Sequence, residues 1–594
     1  MIYIDYIQDK QICRINTDII DRNWKQFRFY YNQLSDQSLF FEDSVELPWH
    51  AFILNLNLLV NILGVHGLNA EISPKAKQLI DISLRQRNDV LNVANLSPIP
   101  ENEIQTQLNK LGFKRTLTKE QILNVSKLSR LKFGATFSVP GAGKTTEAIS
   151  FYLLHRQEHQ KLIVICPKNA FSAWEEQLSE CFKSSPPTTI RLVNGLEKIA
   201  NDLNNAKFDV FLISYQQYNL ASNLIANYLH NNQSFVFVDE SHRIKGGNKT
   251  ETGRQIQKIA HLPIGKLIMS GTPLPQGEGD LLPQYSFLFP SDEAVDEKNV
   301  RQKIQSIYVR TTKNELLDPV DFPLNIIKTP IPLHEAQKFL YDLIRSEELR
   351  QVSGLATNER RIYRQLGKSY MRLLQVVSNP PLLLKSNYSF PDALREAIEY
   401  GPSNKITYAA LKARQLAKEG KKVLIWSGFV ENIESITQIL ADLGAKYIHG
   451  KVEAGSEEEE NTRERIVKEF HDDPNMFVLV ANPAACAEGI SLHKVCHHAI
   501  YIDRNYNAAQ YLQSMDRIHR LGLLKGTSTT IEILYSPSSI DDLINTRLLN
   551  KIDRMAQVLQ DENLRQEPET VELDSEGFDD EDAKQILNHL KGLI

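Results

Sequence analysis

The sequence predicts an α/β protein of two tandem lobes, each a parallel sheet flanked by helices, with helical protrusions between them and a separate N-terminal domain. Three observations carry this. Short apolar, β-branched runs alternate with polar turns and helical stretches in two separated series, the pattern of βα units on buried parallel strands. A glycine-rich phosphate-binding signature follows the first strand of the first series. At 594 residues the chain is several times the usual domain of roughly 100 to 200 residues, so about four units are expected.

Taken in order, residues 1–110 read as an accessory domain without a chemical motif. Pro48 before "WHAFILNLNLLVNIL" marks a helix start. A helical domain packed on the first lobe is one expectation for it, and recognition of a protein partner or substrate is the other. The first lobe, 111–292, carries "GATFSV", "KLIVIC", "FDVFLISY", "SFVFVDE" and "GKLIMS". Residues 293–398 change character: Ile362, Leu366, Tyr370, Leu373, Leu374 and Val377 recur at helical spacing. The same stretch sets Arg345, Arg350, Arg360, Arg361, Arg364, Lys368 and Arg372 against Glu347, Glu348 and Glu359, a basic surface that reads as a solvated face or as a grip on nucleic acid. The second lobe, 399–555, carries "KVLIWSG", "KYIHG", "MFVLVAN", "HAIYID" and "TTIEILY". In the last segment, 556–594, eleven acidic residues and one arginine lie between Asp561 and Asp582, too polar to bury, followed by the amphipathic "DAKQILNHLKGLI".

Composition narrows the function classes. With 68 Lys and Arg against 73 Asp and Glu, the net charge of -5 gives no global basic signature, so nucleic-acid binding must use local patches. The five cysteines, Cys13, Cys166, Cys181, Cys486 and Cys496, form no CxxC pair and no zinc-module spacing, so reduced thiols and no structural zinc are expected in an intracellular, cytoplasmic or nucleoid-associated protein. The run "FILNLNLLVNILGV" is short and holds three asparagines, which suits a buried helix and not a membrane span.

The chemistry concentrates at "SVPGAGKTT". In the loop Pro140–Thr146, Gly141 and Gly143 let the backbone N–H groups from Gly141 through Ala142 to Thr146 converge on phosphate oxygens, and the following helix adds its partial positive charge. Lys144 reaches the β- and γ-phosphates, and Thr145 offers a hydroxyl to Mg²⁺. Ser138 stands where the general pattern wants glycine, on the strand side of the loop, where a small polar residue is tolerated. "FVFVDESHRIKGG" sets Asp239 and Glu240 at a strand end. These read as a helix cap or, with the phosphate loop upstream, as a metal-holding carboxylate and the base for the attacking water. His242 beside them reads as a γ-phosphate sensor or a structural histidine, and Trp174 as a core residue or one near nucleic acid. In "QSMDRIHRLG", Gln513, Arg517 and Arg520 fall at i, i+4, i+7 on one helix face, where arginines can stabilise charge on a transferring phosphoryl group.

Together these motifs resemble the Swi/Snf branch of the superfamily-two DExx-box helicases and translocases over about residues 114–550. The elements appear in order: Gln121 in "LTKEQILNV", "SVPGAGKTT", "VICPKNAFSAWEEQ", "FLISYQQY", "DESHRIKGG", "MSGTPLPQG", "KVLIWSGF", "ANPAACAEGISL" and "QSMDRIHRLG". The resemblance implies two RecA-like lobes that hydrolyse ATP with Mg²⁺ in the cleft between them and move a monomeric motor along DNA, duplex DNA being favoured. It implies that Gln121 contacts adenine, that Ser270, Gly271 and Thr272 couple the lobes, and that Gly489 touches nucleotide. It also implies that the basic helices around 345–372 grip duplex. Ser241 replaces the commoner alanine of DEAH, only Gly489 remains of a glycine cluster, and Leu523 replaces a common glutamine. A strand-separating DNA or RNA helicase shares these motifs. A nucleotide-gated scaffold with little turnover, signalling through the N-terminal domain or acidic tail, is the alternative of another class.

Overall fold

In the computed structural model the described residues are all but 32–37, 66, 183–185, 275–277, 293–294, 317–320, 355–358, 386–389, 453–461, 487–489, 507, 521–522, 560–579 and 594. The chain divides into two compact units, Met1–Thr311 and Thr312–Ile594.

The first unit begins with a five-stranded sheet: β1 (Ile2–Ile7), β2 (Ile12–Thr17), β3 (Leu39–Phe40), β4 (Ser44–Pro48) and β5 (Ala70–Ile72), in the order β3-β4-β2-β1-β5. All its pairings are antiparallel except β1 with β5. The N-terminal domain is therefore a sheet with helices, not the helical domain expected, because alternating buried residues such as Ile2, Ile4 and Tyr6 give β1 a strand period of two. The expected single helix after Pro48 is two, Trp49–Leu54 and Leu56–Val65. The break falls at Asn55, whose side-chain amide turns back to donate to the Ala51 carbonyl.

The remainder of this unit is a seven-stranded parallel sheet: β6 (Phe133–Thr136), β7 (Lys161–Cys166), β8 (Thr189–Arg191), β9 (Val210–Ser214), β10 (Ser234–Asp239), β11 (Gly265–Met269) and β12 (Tyr308–Val309). Its order is β12-β6-β11-β10-β7-β9-β8. The central strands are buried throughout, which explains their unbroken apolar runs, each buried Val, Ile or Phe contributing about 1.5–3 kcal/mol. The expected boundary at residue 292 moves: β12 pairs with β6, so the first lobe runs to Thr311.

The second unit holds a six-stranded parallel sheet: β13 (Leu324–Pro330), β14 (Lys422–Trp426), β15 (Lys446–Ile448), β16 (Val478–Ala481), β17 (Cys496–Tyr501) and β18 (Thr529–Tyr535), ordered β13-β18-β17-β14-β16-β15. Residues 293–398 are thus not helical alone, since β13 pairs with β18 along its whole length. The long helices Glu335–Ser353 and Glu359–Ser378 share a core with the helix Ile540–Leu559 and the final helix Asp580–Leu590. The terminal helix buries Ile586 and Leu590, and His589 Nε2 lies 2.7 Å from the Tyr341 hydroxyl. The acidic stretch before it lies largely outside the described residues.

Candidate nucleotide-hydrolysis site

Strand order assembles the site in the first unit. Strands β6, β11 and β10 are neighbours and parallel, so their C-terminal ends deliver the phosphate loop, Ser270–Thr272 and Asp239–Glu240 side by side. Crevices beyond the carboxyl ends of parallel strands are where such sheets bind ligands.

In the loop, Gly141 (φ 87°) and Gly143 (φ 84°) both take the left-handed conformation, and Gly143 caps the helix Lys144–His155. A Cβ at Gly143 would strike the Gln121 side-chain amide. Gln121 is itself fixed in a capping box with Thr118, and its amide donates to the Ala142 carbonyl at 3.1 Å. Its side chain therefore braces the loop. Lys144 Nζ donates to the Ser138 carbonyl at 3.0 Å, and Thr145 is half-buried. Thr146 is fully buried and its hydroxyl donates to the Gln177 side-chain amide oxygen at 3.1 Å. Pro140 packs on Gly271, where a Cβ would come within 2.8 Å of the proline ring.

Across the crevice, Asp239 and Glu240 sit at the end of β10. Glu240 has φ 54° and ψ 52°, left-handed for a non-glycine residue, a conformation that costs on the order of 1–3 kcal/mol. Burial, and next to it the Glu240 charge, push the Asp239 carboxyl up to about 7. Burial would raise Glu240 as well, but His242, Lys144 and Arg243 hold it well below the usual carboxylate range. His242 Nδ1 lies 3.3 Å from Glu240 Oε2 and 3.1 Å from Ser270 Oγ, which in turn accepts the Thr272 N–H at 3.1 Å. The histidine therefore joins the acidic pair to the Ser270–Thr272 turn. Two half-buried carboxylates disfavouring joint ionisation, opposite a glycine-rich loop with a lysine, are a donor set that fits a nucleotide triphosphate with a divalent cation.

The second unit corrects one expectation. The helix carrying Gln513 is Ala508–Met515, and Arg517 and Arg520 lie in the turns beyond it, not on its face. Bonds from Arg517 N to Ser514 O and from Ile518 N to Met515 O tighten the chain into three-residue steps there. Arg517 is buried; its Nε donates to the Gln513 carbonyl at 2.9 Å and its Nη1 to the Ile490 carbonyl at 2.8 Å. Arg520 is half-buried, and burial lowers its pKa against the opposing pull of Asp516, which is itself bonded by Lys313 at 2.6 Å. Gly489 lies outside the described residues.

Sequence reasoning missed three residues. Glu147 is fully buried beneath the phosphate loop, accepting from Asn124 at 2.7 Å and Thr136 at 2.7 Å, and burial pushes its carboxyl up to about 7. A glutamate in the apolar stretch "TTEAISFYLL" was the available signal. Trp174 is in the core, as one reading held, yet its indole N–H reaches Asp239, and Tyr215 reaches the Asp239 backbone; neither link has a sequence signal.

Comparison with known proteins agrees with this arrangement. A SNF2-related domain model matches residues 137–382, and a helicase conserved C-terminal domain model matches 405–522. The ISWI chromatin-remodeling complex ATPase ISW1 of Saccharomyces cerevisiae is 24% identical over 453 residues, 71% of this chain and 38% of that protein. The putative ATP-dependent helicase/translocase YwqA of Bacillus subtilis is 23% identical over 530 residues, 83% of this chain and 54% of that protein. The chain thus spans less than two thirds of the length of either. The solved SWI2/SNF2 ATPase core of Sulfolobus solfataricus in complex with dsDNA matches at 20% identity and TM-score 0.32, covering 78% of this chain and 98% of that one, a likeness too low to carry an argument. Among the described residues no helix is long and apolar enough to cross a membrane.

Proposed function

We propose that this chain, which carries a SNF2-related domain over residues 137–382 and a helicase conserved C-terminal domain over residues 405–522, is a nucleic-acid-dependent ATPase that moves along duplex DNA and remodels it or displaces bound protein. The observation that carries this is the delivery of the phosphate loop, the Ser270–Thr272 turn and the Asp239–Glu240 pair to neighbouring strand ends. Thr145 and Asp239 would hold Mg²⁺, which supplies charge neutralisation at the β- and γ-phosphates. Lys144 binds the same phosphates. Glu240, kept ionised by His242, Lys144 and Arg243, orients and deprotonates the attacking water. Arg517 and Arg520 supply positive charge to the transferring phosphoryl group.

The grip on DNA is assigned to the helix Glu359–Ser378, where Arg361, Arg364 and Lys368 are exposed along one side. Both duplex preference and a role for the N-terminal domain in choosing a protein partner belong to this proposal.

The test compares ATP turnover without nucleic acid and with single-stranded DNA, duplex DNA, branched DNA and RNA. The largest stimulation is expected from duplex DNA, together with triplex displacement and no strand separation. Unwinding of tailed duplex without triplex displacement would favour a strand-separating helicase, and negligible turnover with saturating DNA would favour the scaffold. Lys144→Ala should lose nucleotide binding or turnover. Glu240→Gln should bind ATP and lose turnover by about 10²-fold or more. Retained turnover in both refutes the site.

A further inference from the structure

The acidic pair is held from two helices that the proposed reaction does not otherwise use. The helix Phe171–Cys181 follows β7 and the helix Tyr215–Asn231 follows β9, strands that lie beyond β10 from β6 in the sheet. Trp174, fully buried, donates its indole N–H to Asp239 Oδ2 at 3.0 Å, while the Glu240 backbone N–H donates to Oδ1 at 3.0 Å. Each carboxylate oxygen of Asp239 thus has its own donor, which fixes the plane of the group. The Tyr215 hydroxyl donates to the Asp239 carbonyl at 2.5 Å and stands 3.3 Å from the Glu240 carbonyl. It spans the peptide unit where the chain enters the left-handed conformation of Glu240. Arg243 lies over the Tyr215 ring, 5.6 Å from its centroid, and holds the ring in turn.

A buried indole N–H needs an acceptor, and a backbone carbonyl would serve. Here the acceptor is the carboxylate assigned to the metal. Outer partners of this kind orient the ligands they touch, and their loss costs roughly 10–100-fold in metal affinity or activity.

We propose that Trp174 and Tyr215 are positioning residues for nucleotide hydrolysis: Trp174 orients the Asp239 carboxylate toward the metal, and Tyr215 pins the Asp239–Glu240 backbone so that the Glu240 side chain faces the attacking water. The proposal rests on the ATPase reading above. Both residues start from the strand ends β7 and β9, so the helices that follow these strands carry a bonded route into the acidic pair.

Tyr215→Phe keeps the ring and removes only the donor, whereas Trp174→Phe removes the donor together with the five-membered ring of the indole. For Trp174→Phe, Mn²⁺ binding in the presence of ADP, read by electron paramagnetic resonance, is expected to weaken about tenfold, with metal-free ADP binding unchanged. In an Asp239→Asn background the same substitution should add nothing, because its effect runs through that carboxylate. For Tyr215→Phe, kcat is expected to fall about tenfold with KM for ATP within about twofold, and a Glu240→Gln background should absorb the loss. Unchanged Mn²⁺ affinity and kcat in folded variants, or losses that add fully in the Asn and Gln backgrounds, overturn the proposal. If Trp174→Phe does not fold, Tyr215→Phe, one oxygen smaller, decides alone. Should the unaltered protein hydrolyse ATP, Glu240→Gln be inactive and both Phe variants match the unaltered protein, the positioning role fails while the ATPase reading stands. Absence of turnover in the unaltered protein removes both.

Discussion

Ser138 occupies the position where a phosphate loop ordinarily has glycine, and its surroundings give it work there. The residue is fully buried, its hydroxyl accepts the Thr311 N–H at 3.0 Å and lies 3.3 Å from the Thr136 hydroxyl, and its carbonyl accepts Lys144 Nζ. Ser138→Gly, which restores the general motif, should therefore destabilise the first unit. It strands a buried N–H and adds freedom to the unfolded chain, costing about 1–3 kcal/mol, measured by urea unfolding. A neutral or stabilising result would mean that the Thr311 amide finds another acceptor. Gly143→Ala acts in the other direction, on the site itself: its φ of 84° and the clash with the Gln121 amide should abolish nucleotide binding in an equilibrium titration while the fold survives. The loop glycines and Lys144 were legible because a motif local in sequence specifies them. Trp174, Tyr215 and Glu147 were not, since their partners lie 65, 24 and 23 residues away and meet them only through the strand order.

At the scale of elements, the basic residues of the helical region divide into two kinds that sequence lists together. Arg372 reaches Glu348, which is 1% exposed and also takes bonds from Ser369 at 2.6 Å and Gln365 at 3.0 Å. It ties the helices Glu335–Ser353 and Glu359–Ser378 together from inside. Arg372→Ala would leave Glu348 buried without its cation, so a loss of about 3–5 kcal/mol is expected in chemical unfolding, with DNA affinity falling only as folding does. Arg364 and Lys368 stand exposed two turns and one turn before Arg372 on the same helix. Replacing both by Ala should leave stability within about 0.5 kcal/mol and flatten the dependence of log K on log salt by about 0.9 for each phosphate that the helix no longer neutralises. An unchanged salt slope would remove this helix from the DNA surface. Periodicity revealed these helices but not this division, which depends on Arg372 meeting the buried Glu348 of the neighbouring helix. The same limit explains the misread end of the helix Ala508–Met515: Arg517 and Arg520 keep helical spacing in the sequence, while buried Ile518 and His519 draw the chain into tighter turns. The edge strands β12 and β13 escaped too, β12 because two residues show no period and β13 because none of its seven residues is fully buried, so it lacks the apolar run of the central strands.

On the scale of the whole molecule, the N-terminal sheet is built into the first unit through a cluster of neutral histidines. The Tyr6 hydroxyl donates to Gln11 at 2.5 Å and lies 2.7 Å from His230 Nε2 and 2.9 Å from His261 Nε2, the two histidines coming from the first lobe. Trp49 packs edge-on against Tyr6 and tilted against His261, with His50 beside it. Burial, then Lys258, pulls His50 down to about 4, and burial, then Lys75, pulls His230 down to about 4. Burial, then His230, His50 and Lys266, drives His261 well below its ordinary value. The Nδ1 atoms of His50 and His261 are buried and have no hydrogen-bond partner among the described residues, so a proton added there would meet no acceptor. Histidines whose folded pKa is depressed bind protons more readily once unfolded, at about 6.5. Their contribution is therefore complete above about pH 6.5 and is lost as pH falls from there toward about 4. The opening free energy of β1, β2 and β4, read by hydrogen exchange corrected for intrinsic rates, should hold between pH 8 and 7 and then drop. His50→Gln has no imidazole to titrate. It should lower that free energy at pH 8 by a constant amount but remove about 1–2 kcal/mol of the fall between pH 7 and 5. Parallel pH profiles for the two proteins would show that His50 is protonated where it stands, and any fall they share would then belong to His230 and His261.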